Sequence, residues 1–151
     1  MKKEINLLDC TFRDGGYYNN WNFNKNLINE YLQTINSLNI KYVELGFRSL
    51  DKKKIKGENA YTTESFIHDL IIPKSLKLGV MINASDLLSA GKVPEKSCKS
   101  LFPNIKKTKI SFVRLACHIN EPFKIEKAIR WLKKNNFMVC INLMQISEIK
   151  E

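Results

Sequence analysis

The densest group of chemically capable residues lies near the start of the chain, in Leu8-Asp9-Cys10-Thr11-Phe12-Arg13-Asp14-Gly15-Gly16-Tyr17-Tyr18-Asn19-Asn20-Trp21. An apolar run stops at an Arg-Asp pair followed by two glycines. The planar guanidinium of Arg13 can hold a carboxylate or an enolate oxygen through paired hydrogen bonds, and the neighbouring carboxylate of Asp14 can bind a hard divalent cation. An ion pair that merely orders a loop is the plainer alternative. Glu44 and Arg114 each interrupt an apolar strand pattern, and a buried ion must be paired or ligated. They are read either as a salt bridge with each other or with Arg13, or as direct participants in chemistry. Arg48, just past the second strand, is a candidate for binding a substrate carboxylate, with a solvent-exposed loop arginine as the alternative. Asn83 and Asn142 fall at or near strand ends and can hydrogen-bond a substrate. Tyr17 and Tyr18 are candidates for a lid or a proton donor. His118 and His68 read as packed or solvated residues, and Met81 and Met144 as core or pocket wall.

These groups need a frame that brings strand ends together. Candidate strands begin near Ile5, Tyr42, Lys77, Ser111 and Met138, and their near-continuous apolar character fits parallel strands covered on both faces. Between them lie helical patterns. Leu27, Ile28, Tyr31, Leu32, Ile35 and Leu38 repeat at helical spacing behind a capping Asn24. Thr63 caps a segment with Phe66, Ile67, Leu70 and Ile71 as its stripe, and Pro73 stops it. A short helix is expected from Ser85 to Ala90, ended by Gly91, and another after Asn120-Glu121-Pro122 with Ile125, Ala128, Ile129 and Leu132 facing inward. The first strand is expected to run from Ile5 to Thr11, with Gly15-Gly16 turning the chain sharply. This rhythm predicts an α/β fold, a partial (βα)8 TIM barrel holding about the first five βα units, with Arg13 and Asp14 at the strand-end face where such barrels do their chemistry. A complete small flavodoxin-like domain is the rival architecture.

The segment LLDCTFRDGGYYNNW resembles the first strand of the DRE-TIM metallolyases, the superfamily of hydroxymethylglutaryl-CoA lyase, 4-hydroxy-2-oxovalerate aldolase and the isopropylmalate and citramalate synthases. The resemblance continues through Tyr42 to Arg48, Lys56-Gly57, Ala60 to Thr63, Leu78 to Asn83, Val113 to His118 and Asn142 to Gln145. It implies that Arg13 stabilises an enolate, that Asp14 ligates Mg²⁺ or Mn²⁺, and that Glu44 completes the catalytic set. Arg114, Asn142 and Arg48 are the candidates for substrate binding. The implied activity is an aldolase-like carbon–carbon lyase acting on a 2-oxo acid. A Claisen-type acyltransferase of the same superfamily and a non-catalytic metabolite- or protein-binding α/β module are the alternatives.

Two departures bear on this reading. The aldolase relatives carry a histidine on the first loop, where this sequence has tyrosines and asparagines. The His-x-His pair that completes the family's metal site does not occur in the 151 residues. Residues 1–151 are therefore expected to be the N-terminal portion of an aldolase-type barrel domain whose C-terminal strands are absent from this chain, with open sheet edges prone to self-association.

Composition narrows the partners. The net charge of +10 is spread over dispersed lysines, Lys52, Lys53 and Lys54 in a loop among them. No aromatic-basic interleaving accompanies them, so nucleic acid is not an expected partner. The four cysteines have no CxxC spacing and read as reduced thiols. Neither a signal peptide nor a membrane span is apparent, so a cytoplasmic protein is expected.

Overall fold

The computed structural model describes residues 5–51, 56–89 and 93–148. Lys52, Lys53, Lys54, Ala90 and Gly91, to which the sequence assigns a loop and a helix end, lie outside the described residues.

Five strands run in parallel in the order β1 (Leu8–Asp9), β2 (Tyr42–Phe47), β3 (Lys77–Asn83), β4 (Ile110–Cys117) and β5 (Met138–Leu143). Helices alternate with them: α1 (Thr11–Asn19), α2 (Lys25–Ser37), α3 (Glu64–His68), α4 (Ala84–Leu88), α5 (Pro94–Leu101), α6 (Glu121–Lys124) and α7 (Glu126–Lys134). The sheet curls into a half-barrel, so the fold is the expected partial βα barrel.

Alternation along each strand divides the sheet into two faces. Val43, Leu45, Val80, Ile82, Val113 and Leu115 pack into one core with Ile28 and Leu32 of α2, Phe66 and Ile67 of α3, Cys98 of α5 and Leu132 of α7. The opposite, concave face carries Glu44, Phe47, Met81, Arg114 and Ala116. A register shift in β2 between Glu44 and Phe47 keeps both on that face. Gly46 makes the shift possible. A Cβ there would sit 1.9 Å from the carbonyl oxygen of Asn59, whose side chain donates to Leu45 O at 2.6 Å. Because the obstruction is backbone, Gly46→Ala is expected to lower stability by about 1–3 kcal/mol, read from the urea midpoint. An unchanged midpoint would mean that the 57–62 segment does not dock as described.

Several local expectations are corrected. The first strand shrinks to two residues, and Ile5 and Leu7 are exposed. The double glycine does not turn the chain, because Thr11–Asn19 is helical. Asp14 suits the positive end of that helix, and Asn20, at φ 55°, closes it in the left-handed conformation with its N–H on Gly16 O. Leu27, Leu38 and Ile71 are exposed, since the sheet covers only the narrower stripe of Ile28, Leu32 and Ile35 in α2, and α3 ends at His68. Asn24 and Thr63 do cap α2 and α3, accepting from Asn26 N and Phe66 N. Helix α5 was not anticipated, since its Lys- and Ser-rich sequence hides a buried side of Cys98 and Leu101.

Candidate active site

The charged side chains of the concave face form one cluster. Glu44 is fully buried on β2. Its Oε1 accepts from Arg13 Nε at 2.7 Å, and Arg114 Nη1, reaching across from β4, lies 3.2 and 3.3 Å from its two oxygens. Arg114 Nη1 also lies 3.2 Å from Cys10 Sγ, and its Nη2 donates to Asn142 Oδ1 on β5 at 3.0 Å. One guanidinium on β4 thus links Cys10, just past β1, with β2 and β5. Arg13 donates through Nη1 to Asp14 Oδ1, and its guanidinium also interacts with the Cys10 thiol. Both arginine side chains are largely enclosed, at 15% and 16% exposure.

The electrostatics follow from this count. Two guanidinium charges share the single buried carboxylate of Glu44, while Asp14 sits at the rim with its side chain 59% exposed. The enclosed layer keeps an excess positive charge, which is what an incoming carboxylate or enolate needs. Burial works against the charge on Arg13, but the hydrogen bond and charge of Glu44 and the charge of Asp14 outweigh it, so its pKa stands above the ordinary arginine value. Arg13 remains a fixed cation at every working pH. Burial, helped by the Glu44 charge, pushes the Cys10 thiol up against the opposing pull of Arg114 and Arg13.

Arg13, Asp14, Glu44, Arg114 and Asn142 are therefore brought together, whereas Arg48 is not. Arg48 is 2% exposed and donates to Thr62 O at 3.1 Å, Leu101 O at 2.7 Å and Glu64 Oε1 at 2.6 Å, with its guanidinium stacked 4.3 Å from the Phe102 ring centre. All three nitrogens are engaged in tying β2 to α3 and α5, which corrects the solvent-exposed expectation. Tyr18 and His118 are exposed. Tyr17 leans on Trp21 at 4.8 Å between ring centres, and Trp21, Phe47, Met81 and Ala116 form an apolar layer on the same face as the charges. Trp21 is thereby a member of the site that no local sequence signal marks.

A divalent cation needs several oxygen or nitrogen ligands in fixed geometry. Among the described residues no three His, Cys, Asp or Glu side chains converge, and Asp14 is already paired with Arg13. These residues by themselves do not make such a site.

The four cysteines are free, and their reactivity should divide by burial. Burial, with a smaller contribution from Glu95, pushes the Cys98 thiol up to about 12, and burial, with Glu121, pushes Cys117 up to about 11, while Cys10 and Cys140 are half-buried. Iodoacetamide at pH 8 is expected to label Cys10 and Cys140 and spare Cys98 and Cys117, by peptide mass mapping. The same raised values stabilise the fold fully below the ordinary thiol value of 9.0, and that contribution is lost as pH climbs above it.

Neither a protein-family model nor a curated protein sequence matches this chain. Among solved structures, it is similar to the crystal structure of the N-terminal domain of a candidate aldolase from Bacteroides vulgatus, with a TM-score of 0.78 and 31% sequence identity. The likeness covers 95% of this chain and 46% of that one. This chain therefore spans less than half the length of its structural relative. No helix among the described residues is long and apolar enough to cross a membrane.

Proposed function

We propose that this chain forms the enolate-binding part of an aldolase-like carbon–carbon lyase that acts on 2-oxo acids, and that residues 1–151 are the N-terminal portion of its barrel domain. The observation that carries the proposal is the pair of guanidinium groups sharing one buried carboxylate on the concave face. The likeness to the candidate aldolase domain supports the same reading.

In this account Arg114 and Asn142 bind the substrate carboxylate. Arg13 meets the negative charge that collects on the C2 oxygen as the C3–C4 bond breaks, and Glu44 holds Arg13 in orientation. As that bond breaks the C4 hydroxyl gives up its proton to water and its oxygen becomes the carbonyl of the departing aldehyde, while the electron pair of the bond becomes the enolate, which takes a proton from water at C3 to give the 2-oxo acid. A catalyst gains rate only from contacts that strengthen along this path, and the Arg13 contact is of that kind. Asp14, at the rim, is proposed as one oxygen ligand for Mg²⁺ or Mn²⁺ in the whole protein, with the remaining ligands supplied from outside the described residues. The chemistry supplied there would be polarisation of the substrate carbonyl. The open edges of β1 and β5 are proposed to favour self-association when these residues stand alone, since Leu8, Met138, Ile141 and Leu143 are exposed along them. Reduced thiols and the absence of disulfides fit a cytoplasmic setting.

The test is release of a 2-oxo acid from a 4-hydroxy-2-oxo acid by the protein that carries this sequence, followed by coupled NADH oxidation. Cleavage without any acyl-CoA is the expected result. Turnover that appears only with an acyl-CoA would move the assignment to the Claisen-type reaction, and neither activity would leave an anion-binding module.

A further inference from the structure

Trp21 is held more tightly than a wall residue requires. It adopts the left-handed conformation at φ 59°, directly after Asn20 at 55°, a backbone arrangement that costs energy for side chains other than glycine. Two glycines make room for it. A Cβ on Gly16 would lie 2.0 Å from its Cδ1, and one on Gly57 would lie 2.1 Å from its carbonyl oxygen. Gly57 N–H donates to Asn20 O at 2.8 Å, the Lys56 ammonium sits 4.9 Å from the indole centre, and Phe47 meets the ring edge-on at 5.5 Å. What this seating delivers is one hydrogen bond: indole Nε1–H donates to the main-chain carbonyl of Arg13 at 2.9 Å. Arg13 lies in the first turn of α1, four residues beyond a two-residue strand, and its guanidinium must still meet Glu44 across to β2.

We propose that Trp21 is a positioning residue for Arg13, and that its indole N–H fixes the first turn of α1 so that the guanidinium reaches Glu44 in one orientation. The consequence for catalysis rests on the enolate-binding reading of Arg13; the geometric claim does not.

The experiment is ¹⁵N NMR of the arginine Nε–H groups in the protein that carries this sequence. Arg13 Nε–H, bonded to buried Glu44, and Arg48 Nε–H, bonded to Thr62 O, should both exchange slowly with solvent. Trp21→Phe keeps an aromatic ring and deletes the donor. Arg13 Nε–H is expected to exchange about tenfold faster in this variant while Arg48 keeps its protection. Protection of Arg13 that stays at the wild-type level would overturn the proposal. Loss of protection at both arginines would mark a fold defect. The decision then passes to β-(3-benzothienyl)alanine at position 21, which replaces the N–H by sulfur in a ring of the same shape, and the same two outcomes apply. If pyruvate enolisation is present in the wild type, either variant should lower its kcat by about a hundredfold with KM little changed. Absence of enolisation in the wild type counts against the lyase reading and leaves the exchange result standing.

Discussion

Replacing Arg13 by lysine is expected to lower enolate formation by about a hundredfold to a thousandfold, the cost of deleting one preorganised donor to a developing oxyanion. Lysine keeps the charge and loses the planar fork, so it cannot hold Glu44 through one edge and an enolate oxygen through another. The loss should fall on kcat, because the enolate exists only along the reaction path, while Arg114 and Asn142 still bind the substrate carboxylate and keep KM within a few fold. Steady-state kinetics with a 4-hydroxy-2-oxo acid check this. A rise in KM with kcat unchanged would make Arg13 a ground-state binding group instead.

Glu44→Gln is expected to destabilise the fold by about 3–5 kcal/mol, the largest stability effect of any single change considered. The carboxylate is fully buried and balances two guanidinium groups, and a neutral amide leaves both charges enclosed with no counter-ion. Urea unfolding gives the magnitude, and a double variant gives the cause. Adding Arg114→Met to Glu44→Gln removes one of the stranded charges, so the pair should be less destabilised than the sum of the two single changes. Strict additivity would show that the cluster is not electrostatically coupled.

How much of this was legible in the sequence depended on whether a residue's role is set by its neighbours along the chain or by distant ones. Glu44 and Arg114 stood out because a charge within an apolar strand pattern must find a partner, and strands two to five were readable from the same apolar runs. Asn24 and Thr63 were readable as caps because a cap acts on amides two or three residues away. Arg48 was not readable, because its fate is decided by the Leu101 carbonyl, which lies 53 residues further along, and by the Phe102 ring. Gly15-Gly16 was misread for a related reason. Glycine weakens a helix locally, yet Gly16 is needed where an indole from five residues later presses on the backbone. Trp21 itself gave no signal, because its hydrogen bond ends on a main-chain carbonyl.

The central claim is that the paired guanidiniums generate and hold an enolate, and the direct measurement is exchange of the pyruvate methyl protons in D₂O, followed by ¹H NMR in the presence of the protein that carries this sequence. Enolisation alone suffices for exchange, with no aldehyde partner needed. The account predicts protein-dependent loss of the methyl signal that Arg13→Lys nearly abolishes. Exchange at the buffer rate, or exchange that Arg13→Lys leaves intact, would contradict it.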